Sequence, residues 1–123
     1  MANTKIVLII DDDPAIRRAI ARALRNEFDI IIEAKHGKEA EGFLCAKISL
    51  ILSDITMPIM AGHEFHQRHA AFLRKHSIGF VALSGGTTLP GALEYLKQAE
   101  IPLLNKPCNR ATLLEAVRTH NRP

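Results

Sequence analysis

Ile51-Leu52-Ser53-Asp54-Ile55-Thr56-Met57-Pro58 is an apolar run that stops at a carboxylate and gives way to a proline-broken loop. A short apolar run bounded in this way reads as a buried strand, which places Asp54 at its carboxyl end, on the rim of a sheet. Upstream, Ile6-Val7-Leu8-Ile9-Ile10 reads as a second strand and ends in Asp11-Asp12-Asp13. If the two strands are parallel and end side by side, several carboxylates share one small crevice. Unpaired, they repel, raise one another's pKa and destabilise the fold. Something positive must join them, either a hard divalent cation or a lysine.

Working outward from these two runs, five strand-like segments alternate with helix-length segments, at residues 5–10, 29–34, 49–54, 79–84 and 102–105. Such alternation is the signature of an α/β fold, a parallel sheet with helices on both faces. Asp13-Pro14 reads as a helix cap followed by proline at the first helical position, where its missing N–H costs nothing. That helix is expected to run to about Asn26, with Ile16, Ile20, Ala23 and Leu24 on one face and Arg17, Arg18, Arg22 and Arg25 largely on the solvated other. Gly37 precedes a second helix with Ala40, Phe43 and Leu44 as its buried stripe. A third follows Gly62 and carries Phe65, His69, Phe72 and Leu73. The fourth strand delivers Ser84 to its end, ahead of the turn Gly85-Gly86-Thr87-Thr88. The fourth helix is expected from about Leu89 to Ala99, with Pro90 tolerated in its first turn. The last strand ends at Lys106-Pro107, and Asn109 caps a helix whose Leu113, Leu114 and Val117 return to the core.

The 123 residues fit one domain, residues 1–123, large enough to bury a core by itself. Apolar residues make up 47% and charged residues 24%, and no run approaches the roughly 18 apolar residues of a membrane span. The amino-terminal residues lead directly into a strand with no signal-peptide pattern, so a cytoplasmic protein without membrane attachment is expected. The net charge of +3, one Tyr and no Trp, with no recognition motif, argue against direct nucleic-acid binding. Cys45 and Cys108 lie far apart without metal-ligand spacing and read as two free thiols.

In an open α/β sheet the ligand crevice lies beyond the carboxyl ends of the strands. Asp11, Asp12, Asp54, Ser84 and Lys106 collect there from four different strands. In order and spacing, Ile9-Ile10-Asp11-Asp12-Asp13-Pro14, then Asp54-Ile55-Thr56-Met57-Pro58 with Gly62, then Leu83-Ser84-Gly85, then Lys106-Pro107, resembles the receiver domain of two-component response regulators. The resemblance covers essentially the whole chain. It implies a doubly wound, flavodoxin-like, five-stranded parallel sheet of order 2-1-3-4-5. By the same resemblance Asp54 matches the phosphoacceptor, which takes a phosphoryl group from a histidine of a sensor kinase or a histidine phosphotransfer protein. Asp12 and Asp54 match direct Mg²⁺ ligands, joined by the Thr56 carbonyl, with Asp11 acting through water. Lys106 matches the lysine that pairs with the phosphoryl oxygens, and Ser84 the hydroxyl that bonds them after transfer. The Lys106-Pro107 bond is expected to be cis. A downstream protein target and a possible homodimer complete the implied partners.

The chain departs from the family pattern at Leu103, three residues before the lysine, where a Tyr or Phe ring is usual. Ser84-Gly85-Gly86-Thr87-Thr88 with Leu104-Asn105-Lys106-Pro107 is also similar to receiver modules attached to hybrid sensor kinases. A rival reading, a phosphohydrolase of the haloacid-dehalogenase type, would use Asp11 with Asp13, but Ala15 stands at the fifth position of that pattern. A second rival is a module that binds partners without being phosphorylated. His63, His66 and His69 recur every third residue, a step about sixty degrees out of helical register, so the three do not share one tight face and a partly solvated surface is expected rather than a metal site.

Overall fold

In the computed structural model, which describes residues 4–56, 59–85, 90–106 and 108–121, strands and helices alternate along the chain. They are β1 (Ile6–Ile10), α1 (Pro14–Ala23), β2 (Ile30–Ala34), α2 (Gly37–Glu41), β3 (Leu50–Asp54), α3 (Gly62–Lys75), β4 (Gly79–Ser84), α4 (Pro90–Gln98), β5 (Leu103–Asn105) and α5 (Arg110–His120). The strands form a five-stranded, wholly parallel sheet in the order β2-β1-β3-β4-β5. This is the architecture and order that the resemblance implies. The central strands are buried on both faces and so read as unbroken apolar runs rather than alternating ones.

Alternate side chains of each strand feed two separate cores. Ile6, Leu8 and Ile10 of β1 join Ile51, Phe65, Leu73 and Leu96 on the α2–α3–α4 side. Val7 and Ile9 join Leu50, Leu52, Ile20, Leu24, Leu113 and Val117 on the α1–α5 side. Register carries the polar residues to one edge. Ile10 is level with Ser53, Asp54 with Leu83, and Ser84 with Asn105.

The helix ends follow local chemistry. Asp13 Oδ1 accepts from the N–H groups of Ala15 and Ile16 at 2.9 and 3.3 Å, with Pro14 opening α1. Asn109 Oδ1 accepts from Thr112 N–H at 2.8 Å and opens α5. His36 caps α2, its Nδ1 accepting from Glu39 N–H at 3.1 Å, a role the sequence does not advertise because histidine is not a customary cap.

Three expectations are corrected. α1 ends at Ala23 rather than near Asn26, and the chain turns through Glu27 before β2. α2 stops at Glu41, so Phe43 falls past its end and is 41% exposed instead of joining a buried stripe. Arg17 leaves the solvated face expected for the α1 arginines and keeps only 12% of its side chain exposed. Met57, Pro58, the turn from Gly86 to Leu89 and the Lys106-Pro107 bond expected to be cis lie outside the described residues.

Candidate functional site

Asp11 and Asp54 lie at or just beyond the ends of two adjacent strands and are almost completely buried, at 0% and 3% exposure. Lys106 follows β5 and reaches both. Its Nζ donates to Asp11 Oδ2 at 3.0 Å and to Asp54 Oδ2 at 3.1 Å. The compensating positive charge demanded by the sequence is therefore supplied within the chain.

The remaining oxygens are also held. Asp13 N–H donates to Asp11 Oδ1 at 2.9 Å, and Thr56 N–H donates to Asp54 Oδ1 at 3.0 Å. Behind Asp11, the Arg17 guanidinium donates to the Asp11 carbonyl at 2.8 Å while pairing with Glu33 at 3.0 Å. This pins the loop after β1 to both α1 and β2. The signal for it in the sequence is faint, since one arginine among four on the same helix carries no distinguishing mark.

Burial pushes the Asp54 carboxyl up, and the Thr56 N–H and the Lys106 ammonium offset that only in part, so its pKa lies above the ordinary aspartate value. For Lys106, burial works against the ammonium, but its bonds to Asp11 and Asp54 outweigh that and raise its pKa. Lys106 thus stays charged throughout the physiological range.

One carboxylate oxygen from each of Asp11, Asp12 and Asp54 lies within 4.8 Å of the others, with Asp12 exposed and the other two buried. Three hard oxygens on one side and open solvent on the other suit an ion that keeps several of its waters, as Mg²⁺ does. Ser84 ends β4 on the same edge, buried, and its carbonyl accepts from Lys106 N–H at 2.7 Å. Thr56 is exposed beside Asp54. All six residues singled out in the sequence therefore collect at one edge of the sheet.

The first turn of α3 presses against this edge. A Cβ at Gly62 would collide with the Asp54 carbonyl and stand 2.7 Å from Ser53 Oγ, so only glycine lets the helix start so close to β3. The histidines of α3 are not merely a solvated face. His69 Nε2 bonds Glu41 of α2 at 2.7 Å, and His66 Nδ1 bonds the Tyr95 hydroxyl of α4 at 2.6 Å. The two reach different neighbours, in keeping with the expectation that the three histidines share no tight face.

Residues 7–118 match the family model described as the response regulator receiver domain. The transcriptional regulatory protein FixJ of Azorhizobium caulinodans is 31% identical over 122 residues, covering 96% of this chain and 56% of FixJ. Histidine kinase P4 of Formosa agariphila is 30% identical over 104 residues, covering 84% of this chain but only 8% of the kinase. The chain thus spans little more than half of one curated relative and a small fraction of the other. Among solved structures, the chemotaxis protein CheY4 of Vibrio cholerae superposes with a TM-score of 0.78 at 26% identity, covering 95% of this chain and 98% of CheY4.

Proposed function

The chain belongs to the response regulator receiver domain family, and we propose that its Asp54 accepts a phosphoryl group from a phosphohistidine on a partner sensor kinase or phosphotransfer protein, becoming an acyl phosphate. The observation that carries this reading is Lys106 Nζ, 3.1 Å from Asp54 Oδ2 and 3.0 Å from Asp11 Oδ2. Phosphoryl transfer asks little of the protein beyond alignment and neutralisation of charge on the equatorial oxygens, and an ammonium at this place serves both.

In the proposed step an Asp54 oxygen forms the new bond to phosphorus while the phosphorus–nitrogen bond breaks, and the imidazole leaves with the bonding pair. Thr56 N–H fixes Oδ1 and thereby the direction of the attacking lone pairs. Lys106 exchanges part of its hold on the carboxylates for the incoming oxygens, and the Ser84 hydroxyl bonds them after transfer. Asp11, Asp12 and Asp54, with the Thr56 carbonyl, would hold Mg²⁺, which when bound spreads the negative charge of the phosphoryl oxygens. The chain so read is a single receiver module acting in the cytoplasm on its own Asp54 rather than an enzyme with a separate substrate. Its product is a changed affinity for a downstream protein, and Leu103 in place of the usual ring assigns the relay to the β4–α4 side.

Asp11 is the weaker candidate nucleophile, because the pattern that would give it that role fails at Ala15. Incubation with acetyl phosphate and Mg²⁺ separates the two readings. Wild type should become labelled and Asp54→Asn should not, with Asp11→Asn slowed but still labelled at residue 54. Label lost in Asp11→Asn and kept in Asp54→Asn would support the hydrolase instead.

A further inference from the structure

We propose that the cleft between α1 and α5, which opens beside Lys106, holds the apolar tail of a small-molecule phosphodonor, so that the chain prefers acyl phosphates with several-carbon tails over acetyl phosphate. This rests on the reading of Asp54 as phosphoacceptor and adds a donor class to it.

The cleft measures about 450 Å³, within the range of small-molecule sites. Its walls are Ile16, Ala19, Ile20 and Ala23 of α1, Leu83 near the end of β4 and Leu113 of α5. Alanine at 19 and 23 is what leaves the space, since a larger side chain at either would fill it. Lys106 and Arg110 also line the cleft and supply cationic groups. Lys106 belongs at the same time to the acidic cluster, its Nζ lying 3.1 Å from Asp54 Oδ2. One lysine therefore borders both the reacting carboxylate and the apolar space.

Charge and shape together select a ligand with an anionic head and an alkyl tail. With the head at Lys106, the phosphorus of a mixed acyl–phosphoric anhydride lies within reach of Asp54. An Asp54 oxygen then bonds to phosphorus as the phosphorus–oxygen bond to the acyl group breaks. The carboxylate leaves with the bonding pair, and no proton donor or redox partner is required.

Each fully buried methylene is worth about fourfold in binding. The cleft is open on one side, so the four additional methylenes of hexanoyl phosphate are expected to raise kcat/KM at least about tenfold over acetyl phosphate, chiefly through KM. The measurement is labelling of Asp54, in Mg²⁺, by the two donors, read as the hexanoyl-to-acetyl ratio within each variant so that a general change in activity cancels. Ala19→Trp, at an exposed position of α1, should bring the ratio close to one. Hexylphosphonate, which cannot transfer its phosphorus, should shift amide resonances of α1 and α5 in wild type and not in Ala19→Trp. Equal rates with both donors in wild type would overturn the cleft while leaving Asp54 as phosphoacceptor, as would an unchanged ratio in the variant or failure of hexylphosphonate to bind. Labelling by neither donor would overturn both readings.

Discussion

Lys106 joins two buried carboxylates, and for Asp54 the arrangement is tolerated rather than favourable. Desolvation raises the Asp54 pKa beyond what Thr56 and Lys106 recover, so the ionised form is less stable in the fold than in the unfolded chain. At neutral pH Asp54 therefore subtracts from stability, and the subtraction fades as pH falls from its folded pKa toward the unfolded value of about 3.9. Asp54→Asn, measured without divalent cations, leaves Lys106 its bond to Asp11 and should raise the stability to urea at pH 7 by about 1 kcal/mol. The difference from wild type should narrow on acidification, and a variant less stable than wild type at pH 7 would contradict it. Ile59, like Ser77 and Glu100, has a positive φ. Ile59 takes a φ of 70° and is 74% exposed, a conformation that a β-branched residue adopts at a cost. Ile59→Asn, which tolerates that region and gives up little burial, should stabilise the fold by about 1 kcal/mol in the same measurement. Asp54, Asp11 and Lys106 are legible in the sequence because each charge closes an apolar run, and the end of a buried strand is where such a run can meet a charge. Arg17 is not, because its partners are a main-chain carbonyl and a residue of another strand, and neither leaves a trace in local spacing.

At the scale of elements, starts are easier to read than ends. Asp13-Pro14 and Asn109 carry their capping function in their own side chains, and both helices begin where those residues place them. The end of α2 has no comparable marker before Gly42, so spacing alone puts Phe43 on a face that the short helix never forms. The α3 histidines illustrate the same limit from the other side. Three-residue spacing excludes one shared face, but which neighbour each ring meets depends on how α2 and α4 pack. His66 lies against Phe80 and Tyr95, its ring nitrogen on the Tyr95 hydroxyl. Burial, with a smaller contribution from the Arg74 charge, lowers its pKa. A histidine whose folded pKa is depressed adds stability in full above about 6.5, and that contribution is lost as pH falls from there through the folded pKa. Wild type should therefore lose more urea stability between pH 7 and pH 5 than His66→Phe does, by about 1 kcal/mol. Parallel curves for the two proteins would contradict a depressed His66 pKa.

For the molecule as a whole, the alternation of apolar strand and amphipathic helix is enough to indicate a parallel sheet covered on both faces. The strand order β2-β1-β3-β4-β5 is not contained in that alternation and comes from the resemblance of the strand-end residues to a family. That order puts β1 beside β3, and so brings Asp11 next to Asp54, while β4 and β5 follow on the side from which Lys106 returns. The topology and the site are thus one fact seen at two scales, because a different order would separate the carboxylates that the lysine joins. In the function proposed for this chain, the buried carboxylate at the end of β3 carries the phosphoryl group. Borohydride trapping of protein treated with acetyl phosphate and Mg²⁺, followed by peptide mapping of the reduced residue, locates that group. Reduction is expected at Asp54 and nowhere else, and reduction at Asp11 or Asp12, or at no aspartate, would rule out Asp54 as the phosphoacceptor.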